Sequence, residues 1–113
     1  MQYVIQDSEG QIEETSSISA GLDYSGVSPL HCFLKDTKRA RYTSATDEEA
    51  LKAYELVSSL ESISPSLEPS HAFAEVIKIA PKLSANTICC VNSCGDSYKD
   101  KDIIKDRLGK YIR

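Results

Sequence analysis

Apolar residues recur at helical spacing through the middle of the chain: Ala50, Ala53, Tyr54, Val57 and Leu60, with Leu51 and Leu56 widening the stripe. Just ahead stands Thr46-Asp47-Glu48-Glu49. This is the capping-box pattern, in which a threonine hydroxyl and a glutamate three residues on satisfy two free backbone N–H groups reciprocally. The pattern predicts a helix from about Asp47 to Leu60. A second helix is expected from about Ser70 to Ile79, with Phe73, Val76, Ile77 and Ala80 facing inward and Pro81 ending it. Thr87-Ile88-Cys89-Cys90-Val91, bounded by asparagines, reads as a short strand buried on both faces, as in a parallel sheet. A last helix begins near Lys101, with Ile104, Leu108, Tyr111 and Ile112 on one side.

The first third is less regular. Tyr3-Val4-Ile5 predicts a strand, and Asp7-Ser8-Glu9-Gly10 a turn. Ser16 to Ser28 reads as a Ser/Gly loop that passes close to something. Pro29 suits the first position of a short helix through Leu34 and Lys35, since its missing N–H costs nothing there. Arg41 to Ser44 is a candidate short strand. The alternation implies an α/β fold, but one with too few strands. A parallel sheet needs neighbours for its edges and cover for both faces. We therefore expect one partial domain spanning residues 1–113, an incomplete three-layer parallel-sheet domain.

Composition narrows the function classes. The 113 residues carry 13 Lys plus Arg against 17 Asp plus Glu, a net charge of -4. That leaves no basic footprint for nucleic acid. No apolar run approaches the roughly 18 residues of a membrane span, so no membrane partner is expected. The N-terminal residues hold no basic segment followed by an apolar core, and the cytoplasm is the expected compartment. Cys32, Cys89, Cys90 and Cys94 lack paired zinc-ligand spacing and read as buried, reduced thiols. A small thiol enzyme has no support, because no cationic activator lies close in sequence.

Four ordered segments carry a resemblance. They are Ser17-Ile18-Ser19-Ala20-Gly21-Leu22-Asp23-Tyr24-Ser25-Gly26-Val27-Ser28-Pro29, Ser44-Ala45-Thr46-Asp47-Glu48-Glu49-Ala50-Leu51, Leu67-Glu68-Pro69-Ser70-His71-Ala72, and Val91-Asn92 leading to Gly95 and Lys99-Asp100. Asp7 to Glu14 fits ahead of the first. Together they resemble the C-terminal part of the tryptophan synthase β subunit family. The resemblance implies pyridoxal phosphate (PLP) chemistry, in which indole replaces the hydroxyl of L-serine. It also implies an activating monovalent cation and a partner α subunit. The Schiff-base lysine, the catalytic glutamate and the phosphate loop belong to the family's N-terminal part, and their motifs do not occur here.

Carried over by position, Asp23 resembles a substrate gate that closes over the bound serine adduct. Without the resemblance it reads equally well as a turn-stabilising residue. The backbone carbonyls of Tyr24 and Gly26 match cation ligands, in keeping with the oxygen preference of hard cations. Glu68 matches a glutamate near the cofactor ring, and it would also suit a helix N-terminus. Cys94 stands where the family has a serine against the pyridine nitrogen, followed by Gly95. A thiol there predicts weaker anchoring. His31 and His71 read as structural. Further departures are Asp96-Ser97-Tyr98 for Arg-Gly-Asp, and Ser62, Ser64 and Ser66 for Gly, Ile and Ala. A buried hydroxyl costs stability unless it finds a partner.

Two roles are compatible with this. The chain is either the C-terminal portion of a tryptophan synthase β-type PLP enzyme, inactive alone and completed by the remainder of a β-type subunit, or a truncated, non-catalytic protein that docks onto a complete β subunit.

Overall fold

A computed structural model describes residues 1–112. The chain divides into two compact units, the first running Met1–Thr43 and the second starting at Ser44.

In the first unit, Val4 pairs antiparallel with Gly26 and Gln6 with Ile12. Both are isolated bridges, so the expected strand at Tyr3-Val4-Ile5 amounts to single-residue pairing. Asp7 builds the turn: its Oδ1 accepts from the Glu9 and Gln11 N–H groups at 2.9 and 2.8 Å. Gly10 completes it at φ +81°, a conformation cheap only for glycine. The Ser/Gly loop does pass close to a neighbour. A Cβ on Gly26 would sit 3.1 Å from the Val4 side chain. Helix α1, Pro29–Asp36, starts where expected, with the Ser28 hydroxyl accepting from Leu30 N–H and Pro29 at its first position. Its Cys32 is buried, and the Cys32 Sγ accepts the Tyr3 N–H at 3.2 Å. The Tyr3 hydroxyl donates to Asp36 at 2.7 Å, and that hydrogen bond raises the phenol pKa. Arg41 to Ser44 carries no strand.

The second unit is built on helices α2, Asp47–Glu61, and α3, Leu67–Ile79, which pack together. The Thr46–Glu49 capping box forms as expected. The buried positions of α2 are Ala50, Leu51, Ala53, Tyr54 and Ser58; those of α3 are Leu67, Pro69, Ser70 and Ala74. The buried face of α3 therefore differs from the expected one. Phe73 and Val76 are half-buried, while Ile77 and Ala80 are exposed. Small residues on both helices make up much of the contact, and small side chains there allow close approach of the helices. The helix also starts three residues earlier than expected, at Leu67. Pro81 lies in a 3-10 turn, Ala80–Lys82, that ends it.

Thr87 to Val91 is a clear correction. It carries no strand, and Ile88 is 88% exposed. Cys89, Cys90 and Cys94 are exposed as well, so of the four cysteines only Cys32 is buried. A strand requires a partner ladder, and no described segment pairs with this one. Helix α4, Lys101–Leu108, buries Ile104 and ends at Gly109, φ +70°. Tyr111 and Ile112 lie beyond it. Among the described residues the structure is four helices, short 3-10 turns and three isolated bridges.

Two predictions follow from the second unit. Ser62 caps α2 at φ 55°, a left-handed conformation that favours glycine. Ser62→Gly should raise stability by roughly 0.5–1 kcal/mol in denaturant titration. Glu49 accepts from Lys78 Nζ at 2.6 Å and from Thr46 N–H at 2.8 Å. The Lys78 hydrogen bond first, then that of Thr46, holds its carboxyl below the ordinary range. A carboxyl depressed on folding contributes stability above its unfolded pKa and loses it as pH falls through the folded value. Glu49→Gln should therefore flatten the fall in stability across and below the normal glutamate range, read from denaturation midpoints against pH.

Candidate functional site

The residues singled out in the sequence fall into two groups. Asp23, Tyr24 and Gly26 belong to the first unit; Glu68, Cys94 and Gly95 belong to the second.

Asp23 is exposed and caps the 3-10 turn Ala20–Leu22. With Tyr24 and Ser25 it borders an open concavity of about 410 Å3, completed by Ile12, Glu13, Glu14 and Thr15. Three carboxylate residues therefore line one hollow. In the ladder beside it, Ile5 N–H bonds Ser25 O at 2.8 Å and Val27 N–H bonds Tyr3 O at 3.3 Å. Those flanking bonds make Val4 and Gly26 a non-hydrogen-bonded pair, so the Gly26 carbonyl is not used by this pairing.

In the second unit, the connection between α2 and α3 lies against residues 94–97. Pro65 bridges Asp96, Ser97 N–H donates to Ser64 O at 2.9 Å, and the Ser66 hydroxyl donates to Cys94 O at 2.9 Å. Gly95 adopts φ +80°, and a Cβ there would lie 3.1 Å from Ser66 Oγ. The conformation favours glycine, and a Cβ would also press on the Ser66 hydroxyl. An open concavity of about 360 Å3 runs along this contact, lined by Ser62, Ile63, Ser64, Pro65, Ser93, Gly95 and Asp96. The Cys94 thiol is exposed.

Glu68 sits in the first turn of α3, as its dipole reading expected. Lys99 Nζ pairs with it at 2.9 Å and with Asp100 at 2.7 Å. Burial alone lowers the Lys99 pKa, but the hydrogen bonds to Asp100 and Glu68 outweigh it and leave the ammonium raised. Asp100 is 5% exposed, and its other oxygen accepts the Leu67 N–H at 2.9 Å. One buried carboxylate thus anchors the start of α3 and the lysine that holds Glu68.

Sequence reasoning quoted Lys99-Asp100 only as a matching motif and assigned it no role. The available signal was an adjacent pair of opposite charges just before a helix. His71 is structural, as expected: its Nδ1 lies 2.7 Å from Leu67 O, and its Nε2 is 3.7 Å from Asp47. His31 contacts the Tyr42 hydroxyl at 2.9 Å.

The serine departures also find partners. Ser64 Oγ lies 2.5 Å from Ser97 Oγ and donates to Ile112 O at 2.8 Å. Ser97, where the resemblance has glycine, is fully buried. The desolvation cost of these hydroxyls is offset by hydrogen bonds.

Asp100→Ala would leave the Leu67 N–H and the Lys99 ammonium without their shared buried acceptor. It should cost about 1–3 kcal/mol in chemical denaturation, whereas the same change at exposed Asp102 should cost little.

Over 107 residues the chain is 54% identical to the tryptophan synthase beta chain of Cereibacter sphaeroides and 53% identical to that of Roseobacter denitrificans. Each match covers 95% of this chain and 26% of the relative. The tryptophan synthase beta chain of Bordetella petrii is 49% identical over 107 residues, 27% of its length. The chain spans about a quarter of the length of the curated relatives it matches. No family model matches it.

Proposed function

From the premise that this chain is a sequence relative of about a quarter of the tryptophan synthase beta chain, we propose that it serves as the C-terminal portion of a β-type PLP enzyme. In this reading residues 1–113 are one partial domain, part of a three-layer parallel-sheet fold in the cytoplasm. The remainder of a β-type subunit completes it, an α subunit is its further partner, and it is inactive alone. The observation that carries the reading is identity near 50% to these proteins along 95% of the chain.

The residues present suit one side of a PLP pocket. The turn at Cys94 and Gly95 is held tightly against Ser66 beside an open concavity, with the thiol facing outward. Glu68 is fixed by Lys99. When bound, PLP supplies the electron sink for exchanging the hydroxyl of L-serine for indole.

The chain's own residues then hold and shield. Cys94 would offer its thiol to the ring nitrogen, a weak hydrogen-bond partner that would anchor the ring less firmly than a hydroxyl. Gly95 brings backbone close without a side chain in the way. Glu68, steadied by the lysine, would stand near the cofactor when it is bound. Asp23 is an exposed carboxylate at the rim of an open hollow, with room to swing onto substrate and exclude water. Carbonyls of Tyr24 and Gly26 would hold a monovalent cation, and Glu13, Glu14 and Asp23 line the hollow beside Tyr24 with negative charge.

Exposed apolar side chains support completion by further protein. In the second unit Leu56, Leu60, Ile63 and Ile88 are all exposed, and apolar side chains of this size lower the free energy when further protein covers them. The alternative is a short non-catalytic protein that docks onto a complete β subunit, and it uses the same surfaces.

The intact mass of the endogenous polypeptide tests the proposal. A mass several times 12.4 kDa, with L-serine and indole consumed by that polypeptide and not by residues 1–113 alone, is the expected result. A mass near 12.4 kDa would overturn it in favour of docking, and turnover by the 113-residue chain alone would overturn both.

A further inference from the structure

Five residues of the second unit form a hydrogen-bond network that converges on the Ile112 carbonyl. The Tyr54 hydroxyl donates to Ile112 O at 2.5 Å and accepts from Ile112 N–H at 3.1 Å. It therefore engages both backbone polar groups of one residue 58 positions away. The Ser64 hydroxyl donates to the same carbonyl at 2.8 Å. A hydroxyl has one proton. With Ser64's proton spent on Ile112, the 2.5 Å contact to Ser97 requires Ser97 to donate. Ser97's proton is then spent too, so the 3.0 Å contact to Tyr111 requires the tyrosine hydroxyl to donate. The order is fixed: Tyr111 to Ser97 to Ser64 to the Ile112 carbonyl. That carbonyl takes a second donor from Tyr54, filling its two lone pairs. Tyr54 and Ser97 are fully buried.

We infer that Tyr54, Ser64 and Ser97 are positioning residues: they clasp the segment Tyr111–Ile112 and through it fix the turn at residues 94–97 against the connection 64–66. Ser97 is the hinge of this arrangement. Its hydroxyl belongs to the chain, and its backbone N–H donates to Ser64 O. Ser66 and Asp100 extend the same contact to Cys94 and to the start of α3. Hydroxyls in series polarise one another, so breaking one link weakens the rest. The clasp stands on these hydrogen bonds; that the turn it fixes is a cofactor wall rests on the reading under Proposed function.

Amide hydrogen exchange on the full 113-residue chain tests it, with Ser64→Ala, Ser97→Ala, the double variant and Tyr54→Phe, which removes a single oxygen. Each single change should speed exchange at both the Ser97 and Ile112 amides by roughly five- to tenfold, the scale of one lost hydrogen bond. Amides inside α2 should be unchanged. Ser64→Ala with Ser97→Ala should cost less than the sum of the two, since both single changes remove the shared Ser64–Ser97 bond. Tyr54→Phe should reach Ser97 although Tyr54 does not touch it. Additive effects in the double variant, or a Tyr54→Phe effect confined to Ile112, would overturn the clasp, and uniform acceleration across α2 would reduce these residues to general stabilisers. Exchange is read without PLP. PLP titrated separately into the polypeptide and followed by absorbance tests only the cofactor reading, so the two fail independently.

Discussion

The second unit depends on the antiparallel contact between residues 64–66 and 94–97. It is short, with one bridge between Pro65 and Asp96 and one backbone bond from Ser97 to Ser64. Its consequences are wide. Leu67 begins α3 immediately after it, and the first N–H groups of any helix lack internal partners. Asp100, just beyond the other side, supplies an acceptor to Leu67. Burying that carboxylate would be costly alone. The Leu67 N–H and the Lys99 ammonium make it tolerable, and Lys99 in turn reaches Glu68. The helix start, the buried acid and the position of Glu68 are thus one arrangement.

The helices were legible because their signals are local. Thr46 with Glu49, Pro29 at a helix start, and Asp7 to Gly10 each predict a cap, helix start or turn from local residues, and each forms. The inward face of α3 was not legible in the same way. Hydrophobicity points to Phe73 and Ile77, while packing selects Ser70 and Ala74, because a closely packed helix pair rewards small volume over apolar area. The candidate site shows the same division. Gly95 enters from the sequence only as a position beside the cofactor, and its close approach to Ser66 is visible only in the fold; the Lys99–Glu68 and Ser64–Ser97 pairs join residues more than thirty positions apart and leave no periodic trace.

Thr87 to Val91 shows why a strand is not a property of its own residues. Threonine, isoleucine, valine and cysteines are good strand material. The ladder, however, belongs to two segments, and no described segment supplies the second. The run is exposed and unpaired for want of a neighbour, while the bridges at Val4 and Pro65 form where a partner exists. The same reasoning applies to the exposed Leu60 and Ile88. Their chemistry suits burial, and the chain spans about a quarter of the relatives it matches.

The serine departures look like erosion when taken one at a time. Ser64 stands where the resemblance has an aliphatic residue and Ser97 where it has a glycine, and each alone places a hydroxyl in a buried or half-buried setting, where an unpartnered polar group costs free energy. The two positions touch, however, and each hydroxyl is the other's partner. Ser97 also receives Tyr111, and Ser64 spends its proton on Ile112. Physically the two hydroxyls are one polar link in place of apolar packing. Because that link joins the α2–α3 connection to the turn at residues 94–97, it adds side-chain bonding to a contact the backbone makes with a single bridge.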